Sequence, residues 1–76
     1  MQFEEVKQVL IRDNEEFRLL ADEHKQCDEE LKELSRRKYL SPEDQFHEVE
    51  LKKQKLALKD RMLQMAQDYM NTTQPQ

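Results

Sequence analysis

Hydrophobic residues recur at steps of three and four along most of the chain, which places them on one face of an α-helix. This spacing is unbroken from residue 3 to residue 34 and resumes after Pro42. No Gly or Pro then interrupts it before Pro75. The pattern predicts an all-α protein with helices at about 3–12, 14–37 and 42–70 in a single domain over residues 1–70. Residues 71–76 contain nothing apolar and are expected to form a disordered tail.

Two polar segments mark where helices should begin. Ser41 is followed three residues later by Asp44, so its hydroxyl is placed to cap the first N–H groups of a helix. Asp13 and Glu16 have the same spacing, which predicts a capping box and a break before the second helix. Because no Gly or Pro enforces this break, one continuous helix through Asp13 remains an alternative.

The short connection before Pro42 predicts that the second and third helices pack side by side. A link of about four residues normally makes two long helices antiparallel neighbours. In an antiparallel pair of helices, the residue numbers of two facing residues have a constant sum. A sum of 80 pairs Phe17 with Leu63, His24 with Leu56, Leu31 with Val49 and Leu34 with Phe46. It also lays residues 22–33, with six acids and two bases, over residues 51–61, with five bases and one acid. We therefore expect an antiparallel, coiled-coil-like two-helix hairpin with a short N-terminal helix or helical extension.

The third helix has two apolar stripes on nearly opposite sides. We expect the first stripe to complete the hairpin core, which would consist of Phe17, Leu20, His24, Leu31, Leu34, Phe46, Val49, Leu56 and Leu63. The second stripe, the candidate partner interface, consists of Leu51, Leu58, Met62, Met65 and Tyr69. It would be uncovered over about 27 Å of helix. Since long exposed apolar strips usually mark interfaces, we expect a homo-oligomer, with a dimer favoured, or docking on a larger protein.

Composition supports a helical protein and limits its partners. The 76 residues are 39% charged and 36% hydrophobic, with no Gly, a balance typical of long helices. Disorder is the alternative for so polar a chain, but the regular apolar spacing argues against it. The net charge of −4 gives no support to nucleic-acid binding, which normally uses a basic surface.

The sequence contains no sign of membrane insertion or export. Its longest apolar run is three residues, 9–11, whereas a membrane span needs about 18 or more. An acidic pair, Glu4 and Glu5, stands where a signal peptide would have basic residues. The single Cys27 cannot form an internal disulfide, which fits a reducing compartment. We expect a cytoplasmic protein that does not bind membranes.

Candidate chemistry is sparse. His24 and Cys27 lie on one helical face, but structural zinc takes four ligands, so packing in the core is the favoured interpretation. The three acids after Cys27 should raise the pKa of its thiol, the opposite of what a nucleophile requires. There is no Gly-rich phosphate loop and no Ser/His/Asp grouping. We therefore expect no enzymatic activity, no catalytic residue, no cofactor, no metal and no small-molecule substrate.

A basic run offers an alternative function. Its residues are Lys52, Lys53, Lys55, Lys59 and Arg61. They could contact nucleic acid, although no aromatic platform for stacking bases accompanies them. Pairing with the acids of the preceding helix is the favoured interpretation.

Three segments resemble a known family. They are Phe17-Arg18-Leu19-Leu20, Asp28-Glu29-Glu30-Leu31-Lys32-Glu33-Leu34 and Leu51-Lys52-Lys53-Gln54-Lys55-Leu56-Ala57-Leu58-Lys59-Asp60. Over roughly residues 5–66 the chain is similar to the YdcH-like family of small bacterial proteins. The resemblance implies a cytoplasmic helical hairpin of uncharacterised function and no catalytic residue. Members often have Asp-Pro near residue 13, and this chain lacks that Pro.

The leading hypothesis is a small cytoplasmic structural or protein-interaction module that self-associates or docks on a larger partner. The alternative is a nucleic-acid-associated factor that uses the basic face over residues 52–61. A weaker third hypothesis is a metal- or redox-responsive switch through His24 and Cys27.

Overall fold

The computed structural model describes residues 2–73, which form three α-helices and no strand. Helix α1 spans Phe3–Asp13, α2 spans Glu15–Ser35 and α3 spans Pro42–Thr73. The all-helical class is confirmed, and each helix lies near its predicted range. α3 includes residues 71–73, which the hydrophobic pattern places in the tail. The rest of the predicted tail, residues 74–76, lies outside the described residues.

A single extended residue separates α1 from α2. Asn14 has φ −123° and ψ 112°, and its side-chain oxygen accepts a hydrogen bond of 2.9 Å from the Phe17 N–H. The predicted break is therefore present, but the cap is Asn14 and the prediction of Asp13 is wrong. Asn caps helices as well as Asp does. The Asp13 carboxylate instead pairs with the neighbouring Arg12 at 3.0 Å.

Replacing Asn14 with Ala should lower the free energy of unfolding by about 0.5–2 kcal/mol, because the Phe17 N–H loses its acceptor. Replacing Asp13 with Ala is the matched control and should have a smaller effect, since its ion pair is exposed. Urea denaturation of both variants measures the difference. A larger loss for the Asp13 variant would contradict the assignment of the cap.

The start of α3 matches the prediction. The Asp44 N–H donates to the Ser41 hydroxyl oxygen at 3.1 Å, and the Ser41 N–H donates back to the Asp44 carboxylate at 3.3 Å. This reciprocal pair satisfies two N–H groups that the helix itself cannot use. Arg37 also pairs with Asp44 at 3.1 Å. The hydrogen bond from the Ser41 N–H to the Asp44 carboxylate is the main reason that the pKa of Asp44 lies below its ordinary value.

Two apolar clusters hold the helices together. The first joins all three helices and consists of Val6, Leu10, Phe17, Met62 and Ala66. The second lies between α2 and α3 and consists of Cys27, Leu34, Leu51 and Leu58. Helix α1 therefore folds back over one end of the α2–α3 pair, and the other end is only two helices thick.

Helices α2 and α3 run in opposite directions. The ion pairs that join α2 and the segment after it to α3 are Glu16–Arg61, Asp28–Lys55, Glu30–His47 and Arg37–Asp44. The two residue numbers of each pair sum to between 77 and 83. The axial offset of the helices thus agrees with the predicted sum of 80.

The predicted rotation of α3 about its own axis is wrong by roughly half a turn. The stripe assigned to a partner interface faces the core: Leu51, Leu58 and Met62 are buried, and Met65 and Tyr69 are partly buried against the first cluster. The α3 residues predicted for the core face away from it. Phe46, Val49 and Leu56 are exposed, and Leu63 is half-buried. None of the four pairs predicted from the sum of 80 therefore forms a core layer.

Charge explains this orientation. Lys53 and Asp60 interrupt the Phe46 side of α3, and burying an unpaired charge is costly. The opposite side also has charged residues, Asp44, Glu48 and Lys55, but each is paired: Asp44 with Arg37 at 3.1 Å, Glu48 with Lys52 at 3.7 Å and Lys55 with Asp28 at 2.6 Å. That side also continues to Ala66 and beyond, where α1 packs.

The predicted α2 side of the core agrees better with the structure. Phe17 and Leu34 are buried, and Leu20, His24 and Leu31 are partly buried. Cys27 joins them, with 5% of its surface exposed. In the described part of the chain, no polar or charged residue is fully buried.

Candidate interaction surface on the third helix

The side of α3 that faces away from α2 presents a line of apolar side chains. We call it the outer stripe, and its residues are Phe46, Val49, Lys53, Leu56, Asp60 and Leu63. Phe46 is 69% exposed, Val49 48% and Leu56 59%. Steps of three and four residues keep these side chains on one side of the helix over about 26 Å.

The outer stripe is held rigidly by what lies behind it. Leu51 and Leu58, on the opposite side of the same helical turns, are buried in the second cluster. The Lys55–Asp28 and Arg61–Glu16 pairs fasten the same part of α3 to α2. Fully burying one such aliphatic or aromatic side chain stabilises a complex by roughly 1.5–3 kcal/mol, so this surface can contribute substantially to binding.

Two charged residues of opposite sign lie within the outer stripe, one heptad apart. Lys53 is 73% exposed along its side chain, and its ion pair with Glu50 is long, at 4.0 Å. Asp60 makes no ion pair within residues 2–73. Both charges are therefore available to a partner. They are also the sequence signal that could have placed this stripe outside the core.

The basic run is largely neutralised within the chain. Its ion pairs are Lys52–Glu48, Lys53–Glu50, Lys55–Asp28 and Arg61–Glu16. In the described residues, Lys59 alone in this run has no ion pair. The hydrogen bond from Lys55, followed by that from Lys32, holds the pKa of Asp28 below its ordinary value. These ion pairs agree with the interpretation that the basic run pairs with acids of this chain. They leave little unpaired positive charge to bind the phosphates of a nucleic acid.

His24 and Cys27 pack against neighbours, as the favoured interpretation predicts. Burial raises the pKa of the Cys27 thiol, and the charges of Glu30 and Glu23 add to the effect. Burial, followed by the charge of Lys55, lowers the pKa of His24. Between residues 2 and 73, no group of three or more His, Cys, Asp or Glu side chains comes together to hold a metal ion.

No helix in the described part of the chain is long and apolar enough to cross a bilayer.

The geometry defines a helical protein that presents one rigid, exposed, partly apolar helix face. A family model described as "Protein of unknown function (DUF465)" matches residues 17–66, about two thirds of the chain. The chain belongs to this family. The matched range contains the whole outer stripe but excludes α1. No curated protein and no solved structure matches the chain.

Proposed function

We propose that this protein is a structural or protein-interaction module and that the outer stripe of α3 is its binding surface. The observation that supports this proposal is the exposure of Phe46, Val49 and Leu56 on a helix whose other side is packed. Helix faces of this kind are a recurring mode of recognition, in which apolar residues at helical spacing enter a partner's groove or pair with a partner helix.

The scaffold suits such a role. In this proposal, α2 and α3 form an antiparallel, coiled-coil-like hairpin, and α1 is a short N-terminal helix that supports one end of it. Because the ion pairs and both clusters hold α3 in one position, little conformational entropy is lost when the outer stripe binds. The YdcH-like resemblance, which no comparison names, is consistent with this architecture.

The proposal includes no enzymatic activity, cofactor or metal. The raised thiol pKa at Cys27 does not favour a reactive nucleophile. It also includes a cytoplasmic location, which is supported by one buried cysteine without a disulfide.

Affinity capture of the tagged protein from its own cells tests the proposal. The test variant is Leu56→Glu, and the matched control is Gln54→Glu, an exposed residue on a different side of α3. Circular dichroism first establishes that both variants remain helical. We expect wild type and the Gln54 variant to retain the same protein, whether a second copy or another chain, and the Leu56 variant to lose it. Equal retention by all three proteins would overturn the proposal.

A further inference from the structure

We infer that the outer stripe binds a second copy of this chain, with the two α3 helices antiparallel. The inference rests on the proposed function and narrows it by naming the partner. Its basis is the position of the two charges within the stripe. Lys53 and Asp60 have opposite signs and lie one heptad apart, each flanked on both sides by an apolar stripe residue.

An antiparallel alignment makes these charges complementary. When Lys53 of one copy lies level with Asp60 of the other, Phe46 lies within about 6 Å, along the axis, of Leu63 of the other copy, and the two Leu56 side chains are one residue apart. The two Lys53 side chains are then seven residues, about 10.5 Å, apart along the axis, so each lysine is nearer to the Asp60 of the other copy than to the other lysine. The two-fold axis repeats the contact, so the dimer gains two symmetric ion pairs between copies.

A parallel alignment does the reverse. It would place Lys53 against Lys53 and Asp60 against Asp60 in the centre of an otherwise apolar contact, where like charges repel. The antiparallel dimer needs no charge from any other protein, because each stripe supplies both members of the pair. This self-complementarity is what a two-fold symmetric interface requires.

The size of the surface predicts a weak dimer. A strip of about 26 Å by about 10 Å covers roughly 260 Å² per copy, well below the roughly 800 Å² of a standard interface. Lys52 and Lys59 also flank the strip and approach each other across it, although Lys52 is paired with Glu48 at 3.7 Å. We therefore expect an equilibrium between monomer and dimer that depends strongly on protein concentration.

Sedimentation equilibrium of the full chain, at concentrations from about 10 μM to about 1 mM, tests the inference. Wild type should dimerise across this range. Lys53→Glu and Asp60→Lys should each weaken the dimer by about fivefold or more, because two attractive pairs become repulsive. The double variant Lys53→Glu, Asp60→Lys should recover the wild-type dissociation constant. Lys25→Glu, at an exposed residue of α2 outside the outer stripe, is the control for the change in net charge and should not weaken the dimer.

The inference would be overturned by a wild type that is monomeric at every concentration, by single variants that dimerise as well as wild type, or by a double variant that does not recover. The cellular capture experiment keeps the proposed function separate. A monomeric purified chain whose Leu56→Glu variant still loses another protein in cells would overturn the second-copy inference and support the interaction surface. A dimer that forms equally well with Leu56→Glu would show that a different surface is used.

Discussion

Leu58→Glu should unfold the protein, whereas Leu56→Glu should leave it folded. Leu58 is 8% exposed and packs in the second cluster, while Leu56 is 59% exposed. A carboxylate buried among apolar side chains with no partner costs several kcal/mol. A chain of this size has a total stability of roughly 4–11 kcal/mol at the usual free energy per residue. Because Leu is replaced by Glu at both positions of the same helix, the change in helix propensity is the same in the two variants.

Far-UV circular dichroism with urea denaturation measures both variants. The milder pair Leu58→Ala and Leu56→Ala guards against complete loss of the folded state. We expect a loss of about 2–5 kcal/mol for the first and within about 0.5 kcal/mol of wild type for the second. If the variants at position 56 were the destabilised ones, α3 would have the orientation that the apolar pattern alone predicts.

The relative position of α2 and α3 along their axes was predictable, because the charge pattern indicates it independently of apolar packing. The acids of α2 and the bases of α3 are long blocks, and sliding one helix by several residues would break pairs such as Asp28–Lys55. Individually, exposed ion pairs contribute about 0.2–1 kcal/mol. Several of them together still distinguish one register from another.

The rotation of α3 was harder to predict because both of its sides have Leu and Met or Phe at helical spacing. Apolar packing between two helices cannot choose between positions 56 and 58, because both are leucine. Contacts with α1 favour the same orientation as charge does, since Val6 and Leu10 pack with Met62 and Ala66 beside Phe17. Those contacts depend on a chain reversal at Asn14, which a heptad pattern running through residue 14 does not reveal.

The candidate site was predictable only in part, because the apolar pattern leaves open which side of α3 faces the core. Two opposite stripes on one helix imply that one of them lies outside a core formed with a single neighbour. The identity of the outer stripe required weighing charge against apolar area. Lys53 and Asp60 would both be taken out of water if Phe46 and Leu56 faced α2, and burying a charge is costly.

Phe17→Ala should have the other large effect, because Phe17 is fully buried where all three helices meet. Removing a buried Phe costs about 3–5 kcal/mol, much of the stability that a small domain has. Leu19→Ala is the matched control two residues along α2. Leu19 is 55% exposed, so we expect its variant to stay within about 1 kcal/mol of wild type.

The loss of stability caused by Phe17→Ala should also be concentrated in α1. Helix α1 has 11 residues, and isolated helices shorter than about 12–15 residues are marginal in water. Val6 and Leu10 hold α1 in place by packing in the cluster that contains Phe17. Hydrogen exchange of the α1 amides should therefore accelerate in Phe17→Ala more than exchange near Leu34 and Leu51, at the two-helix end, and should be unchanged in Leu19→Ala. Equal acceleration at both ends of the molecule would show that the two clusters unfold as one unit and that α1 has no separate dependence on Phe17.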